Sequence, residues 1–172
     1  MLDLTLKSDD IIISSIGKED ALKVQRLIEG QEDYLDEDSY INSIRFDEFM
    51  KRFIEYYITE NEIFFKILMD DEIIGVVKGR LEGKEDKELF LWFFMLDSKY
   101  RGLGMGKAIL NILIDYFNHT LGVKIFSSGV CSCNDKAIRF WENNGFKPVR
   151  VTKNFFEEME NNKDLIIFKK IV

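Results

Sequence analysis

Tyr100-Arg101-Gly102-Leu103-Gly104-Met105-Gly106-Lys107 is the stretch on which the reading of this chain turns. Its glycines alternate with other residues between an apolar run, Leu89–Leu96, and a segment whose apolar residues recur at helical spacing. A strand that enters a glycine-rich turn and then a helix start is built to hold phosphate. Glycine lets backbone come close to a ligand, and the first N–H groups of a helix have no partner within it. The turn is therefore expected to carry a phosphate-bearing ligand.

Two familiar phosphate turns fail on spacing. A P-loop keeps four residues between its first glycine and the Gly-Lys pair, and follows the lysine with Ser or Thr. Here three residues separate Gly102 from Gly106, and Ala108 follows Lys107. A dinucleotide fingerprint needs Gly-x-Gly-x-x-Gly after the first strand of its unit, whereas these glycines alternate and the strand before them is not the first. A nucleotide-binding protein is the reading that these failures disfavour.

The pattern that fits is Arg101-x-x-Gly104-x-Gly106. Some way downstream it is followed by Asn134-x-x-Ala137-x-x-Phe140-Trp141-x-x-x-Gly145-Phe146. The two halves, in this order and at this separation, resemble the GNAT superfamily of acyl-CoA-dependent N-acyltransferases. The likeness is sharp over residues 88–150 and topological elsewhere. It implies one GNAT-like domain over residues 1–172, an α/β fold with a mixed, mostly antiparallel sheet of about seven strands flanked by about four helices. It also implies an acetyl group moved from acetyl-CoA, the co-substrate, to a primary amine by direct transfer in a ternary complex.

By the same resemblance, the main-chain groups of Phe94, Met95 and Leu96 pair with the pantetheine arm of the cofactor. The turn, Gly102 to Lys107 with Leu103, Gly104, Met105 and Gly106, surrounds its pyrophosphate, and Arg101 and Lys107 add positive charge. Asn134 matches the position that hydrogen-bonds the arm; the residues alone also read it as a helix cap. Trp141 stands where the family often has a general-acid tyrosine. An indole N–H has no usable acidity, so Trp141 is expected to pack beside the arm or in the core, and the acid is unassigned. No carboxylate lies within Phe90–Leu96, which leaves Asp97 as the nearest candidate base, against its plainer reading as a turn aspartate.

Between the first two helices, Glu29–Asp38 carries Glu29, Glu32, Asp33, Asp36, Glu37 and Asp38, with Tyr34 inside and Tyr40 just beyond. In the family this region borders the acceptor. An acidic mouth flanked by Tyr34 and Tyr40 suits a small cationic amine; a solvated charged loop is the plainer reading. The alternatives to a small-amine acceptor are acetylation of a protein N-terminus or lysine, and a catalytically inactive module that binds coenzyme A.

Composition narrows the classes further. The chain has 172 residues, 46% of them hydrophobic and one a proline, enough for a single packed core and unlike a disordered chain. Its net charge of −7 argues against nucleic acid as a partner, which asks for a basic stripe, and suits cationic partners. No apolar run approaches the roughly 18 residues of a membrane span, and Met1–Lys7 has neither a signal-peptide nor a transit-peptide pattern. Cys131 and Cys133 are the only cysteines. Disulfides are rare in the cytoplasm, so the expectation is two reduced thiols in a cytoplasmic protein. The lone His119, near a helix end, needs no catalytic role, and no metal site is expected. A monomer or a homodimer paired at a sheet edge both fit.

Periodicity supplies the elements. Strands are expected at 10–16, 62–69, 73–81, 88–96, 123–130, 146–153 and 165–171, and helices at 18–29, 46–57, from the glycine turn to about Asn118, and at 135–143. Asn134 should cap the last helix and Gly145 stop it.

Overall fold

The computed structural model describes residues 2–30, 50–51, 54–55, 58–83, 86–156 and 163–172. Eight strands form one sheet: β1 (Thr5–Ser8), β2 (Ile11–Ser15), β3 (Glu62–Met69), β4 (Glu72–Glu82), β5 (Glu88–Leu96), β6 (Ile125–Cys131), β7 (Lys147–Phe156) and β8 (Lys163–Ile171). Their spatial order is β1-β2-β3-β4-β5-β6-β8-β7. Every neighbouring pair is antiparallel except β5 and β6, which run parallel. Parallel neighbours need a crossover, and the helix after the glycine turn provides it. This is the mixed, mostly antiparallel sheet that the resemblance implies.

Three helices among the described residues cover the sheet: α1 (Ala21–Glu29), α2 (Met105–Leu121) and α3 (Asp135–Asn143). On α2, Ile109, Leu110, Leu113, Ile114 and Phe117 are buried, the i, i+1, i+4, i+5, i+8 stripe of a core-facing helix. Gly122, at φ +70°, ends it. These side chains join Phe65, Leu89, Leu91 and Leu96 in the main core on one face of the sheet. On the other face Ala21 and Val24 of α1 pack with Phe64, Val76 and Met95. Leu91, Met95 and Leu96 thus serve both layers, which is why β5 is apolar throughout. The backbone is helical at 50, 51, 54, 55 and 58; the rest of the helix expected at 46–57 lies outside the described residues. No described helix is long and apolar enough to cross a membrane.

Two expectations are corrected. The sheet has eight strands, because Thr5–Ser8 pairs antiparallel with Ile11–Ser14. Leu2, Leu4 and Leu6 pack on the core while Asp3, Thr5 and Lys7 are exposed, a period-two pattern that marks this strand. The cysteines, expected as reduced thiols, form a Cys131–Cys133 disulfide with Cα atoms 5.2 Å apart. β6 ends at Cys131, so the two Cα atoms are not held at the roughly 6.6 Å that an extended strand would set between residues two apart. The Asn134 N–H bonds back to the Cys131 carbonyl at 3.0 Å, so the chain is already turning and the two cysteines come close enough to bridge.

Candidate active site

The central feature is a fork in the sheet. β5 and β6 pair only from Glu88–Leu91 to Ile125–Ser128. At the vertex the buried Ser128 hydroxyl donates to the Leu91 carbonyl at 3.1 Å. Just past it β5 carries a bulge. On β4, Gly79 faces Leu91 and Lys78 faces Phe93, so Trp92 has no partner. A bulge bends its strand, and here it turns β5 away from β6. Beyond it, Phe93–Leu96 is held only by β4, and Gly129–Cys131 only by β8. Two strand edges with free main-chain groups therefore line a gap.

The glycine turn closes the far end of β5. Asp97 shapes its entry: its N–H bonds to the Ile74 carbonyl at 2.8 Å, and its Oδ1 accepts from the Lys99 N–H at 3.0 Å and the Ser98 hydroxyl at 3.3 Å. Arg101 folds back so that its Nε donates to the Leu96 carbonyl at 2.8 Å, tying the turn to the strand. Gly102 and Gly104 have φ of +76° and +80°, and a Cβ at either would meet no atom within 4 Å. The turn is left-handed and open to solvent at both positions. The first α2 hydrogen bond runs from the Ala108 N–H to the Gly104 carbonyl, so the amides of Met105, Gly106 and Lys107 have no helical partner. Leu103 and Lys107 are exposed.

Gly106 is glycine for another reason. A Cβ there would lie 3.1 Å from the Phe140 ring. Phe140 belongs to an aromatic group that fastens the free limb of β5 to α3, with Phe94–Phe140 centroids at 5.6 Å and Phe94–Trp141 at 6.3 Å. Trp141 is 4% exposed and also packs on Phe146. The structure packs the Trp141 side chain in the core, against these rings. Asn134 caps α3, its Oδ1 accepting from the Ala137 N–H at 2.9 Å. Gly145 takes the left-handed conformation, φ +82°, that ends the helix. His119 Nδ1 lies 2.8 Å from the Asp115 carbonyl, a local contact near the α2 terminus.

The structure thus gathers Phe94, Met95, Leu96, Arg101 and the turn to Lys107 around one gap, with Asn134 following β6. Tyr34, Tyr40 and the acidic segment 31–38 lie outside the described residues. Sequence reasoning missed Trp92. Its side chain is 46% exposed on the face away from α2, with Phe90 at 4.4 Å and the Arg80 guanidinium at 5.2 Å. Nothing in the apolar run distinguishes it, because a bulge is a property of pairing register. On the same face Glu62 is buried, with Oε2 lacking a partner among the described residues and Arg80 3.7 Å from Oε1. Burial raises its carboxyl above the ordinary 4.5, against the pull of Arg80.

An open glycine turn at a helix start, fed by a central strand that forks from its parallel neighbour, is the arrangement that the resemblance to the GNAT superfamily implies. Residues 13–167 match the family model of the acetyltransferase (GNAT) domain. The chain belongs to the GNAT family. This GNAT protein is thereby an acetyl-CoA-dependent N-acetyltransferase. No curated protein matches it in sequence. Among solved structures, it is similar to ribosomal-protein-S5-alanine acetyltransferase from Vibrio fischeri, with TM-score 0.80, 18% identity, and 98% of this chain and 97% of that one covered. It is also similar to the acetyltransferase of Salmonella typhimurium that modifies the N-terminal serine of ribosomal protein L7/L12, with TM-score 0.79, 14% identity and 96% of each chain covered. A third, the microcin C7 self-immunity acetyltransferase MccE in complex with acetyl-CoA and AMP, has TM-score 0.79 at 18% identity, over 96% of this chain and 94% of that one.

Proposed function

We propose that this GNAT protein acetylates a small cationic primary amine that reaches the gap over the Phe90–Trp92 face. The observation that carries the reading is the fork: α2 and α3 cover one face of the sheet, α1 packs on Phe64, Val76 and Met95 of the other, and Trp92 on that second face is 46% exposed, which leaves an acceptor a way in. Acetyl-CoA supplies the activated acetyl thioester. The amides of Leu103 to Lys107 hold its diphosphate, and the α2 dipole favours that anion by a few tenths to about 1 kcal/mol. The edge of Phe94–Leu96 that β6 leaves unpaired takes the arm, and an N–H of that edge would stabilise the carbonyl oxygen as charge develops on it. Asn134, while capping α3, keeps its amide NH2 for the arm.

The acceptor must lose a proton. An alkylamine of pKa ~10.4 is almost wholly protonated at neutral pH, and reaching the reactive form costs about 4–5 kcal/mol. Asp97 is the proposed base. Its Oδ1 is taken by the turn, while its Oδ2 has no donor among the described residues and can take the proton through water. Trp141, buried and without an acidic hydrogen, donates nothing to the leaving thiolate. Solvent is the proposed proton source.

A second reading, transfer to the α-amino group of a protein, is favoured by the neighbours that act on ribosomal proteins S5 and L7/L12. Thiol release from acetyl-CoA, measured against diamines and against short peptides with free N-termini, separates the two. Turnover on small amines supports the first reading, and turnover on peptides alone replaces it with the second. Saturable coenzyme A binding without release on any acceptor would reduce the protein to a binding module.

A further inference from the structure

We propose that the Cys131–Cys133 bridge is a covalent exchange site for the thiol of coenzyme A. The inference rests on the gap as the seat of the cofactor arm. Residues 127, 129 and 131 share the face of β6 that carries Phe90, where a Cβ on Gly129 would lie 3.1 Å from Leu165 and 3.6 Å from the Phe90 ring. Val130 points the other way, into the core that α2 covers. Cys131 is the third residue beyond the Ser128 vertex, about 10 Å along the strand. It sits on the β6 edge of the gap, and the bridge joins it to the residue next to Asn134. An arm running from the glycine turn toward Ser128 passes its sulfur along this edge. Both cysteines are half-buried, so a ligand seated in the gap has better access to the bridge than a thiol from bulk solvent.

The acetyl transfer itself uses neither sulfur. Once it is complete, free coenzyme A thiol is left beside a disulfide. Its thiolate, having released a proton to solvent, attacks Cys133 Sγ. A Cys133–coenzyme A disulfide forms, the Cys131–Cys133 bond breaks, and the electron pair leaves on Cys131 as a thiolate that solvent can protonate. No outside oxidant is needed, because the bridge is the oxidised partner. Direction follows from the leaving group: the Cys133 N–H lies 3.3 Å from Cys131 Sγ and stabilises negative charge there. Acetyl-CoA, having no free thiol, occupies the gap without reacting. The exchange therefore marks the product and not the substrate.

The test starts from protein oxidised with diamide, with bridge closure checked by thiol titration, and follows intact mass under non-reducing conditions. Coenzyme A should add one equivalent at Cys133 at least about tenfold faster than glutathione at equal concentration, the advantage of a positioned thiol. Excess acetyl-CoA should slow this labelling, and Cys131→Ser and Cys133→Ser should each abolish it while leaving coenzyme A binding unchanged in calorimetry. Two titratable thiols after diamide, equal rates for the two thiols, or no protection by acetyl-CoA would overturn the proposal. Coenzyme A that binds in calorimetry and forms no adduct would overturn it as well. Absence of calorimetric binding would instead remove the reading of the gap on which it rests.

Discussion

Gly104 and Gly106 sit two residues apart and are glycine for unlike reasons. At Gly104 the backbone is left-handed at φ +80°, a conformation that costs an ordinary residue about 1–2 kcal/mol, yet a side chain would have room. Gly104→Ala is expected to lower unfolding stability by about 1 kcal/mol and to weaken coenzyme A binding about tenfold or more, because the methyl group stands where the diphosphate must approach. Urea unfolding and calorimetry read the two effects separately. Asp97 can be divided in the same way. Asp97→Asn keeps an oxygen for the Lys99 N–H, so the fold should hold while kcat falls about a hundredfold, the scale of a lost general base. Unchanged kcat would return Asp97 to its turn.

Glu62 sets a pH dependence. Its carboxyl is raised in the fold, so the ionised form is the one that folding disfavours. The penalty is present above the folded pKa and relieved as pH falls through it toward the unfolded 4.5. Glu62→Gln should therefore be more stable than the parent near neutral pH, with the difference vanishing below about pH 4 in urea titrations. Such detail is closed to sequence, which shows an acidic residue at a strand start and nothing of what buries it. The glycine turn was readable because steric need is written in residue type. Trp141 was readable only in part: its chemistry excluded acid catalysis, but the choice between arm and core depended on where Phe94, Phe140 and Phe146 converge.

At the level of elements, the bounds of β3, β5 and α3 follow directly from apolar runs, a cap and a glycine stop. The fork does not, because pairing and its loss belong to two strands at once, and the Trp92 bulge appears only in register with β4. β1 was missed, although the alternation of Leu2, Leu4 and Leu6 marks it. The disulfide was hidden because it depends on the turn after β6, which brings Cys133 back toward Cys131. The fork makes a kinetic prediction. In hydrogen-exchange mass spectrometry, coenzyme A should slow exchange in segments 92–96 and 102–107, which line the proposed seat, and leave β7 and β8 unaffected. Protection elsewhere alone would contradict the proposed seat.

For the molecule as a whole, ligand binding should read out as stability. Coenzyme A at a hundred times its Kd adds about 2.7 kcal/mol by mass action, several degrees of Tm for a domain of this size. Scanning calorimetry with and without ligand checks it. The sheet itself is two leaves, β1–β5 and β6–β8, stitched by a spine of four residue pairs, Glu88–Leu91 against Ile125–Ser128. A molecule lying along the fork touches both leaves beyond the point where their own stitching stops. The co-substrate would then act as a clasp, and the leaves of the empty protein should breathe apart from the open end inward, with Ser128 the first rung to let go and Ile125 the last.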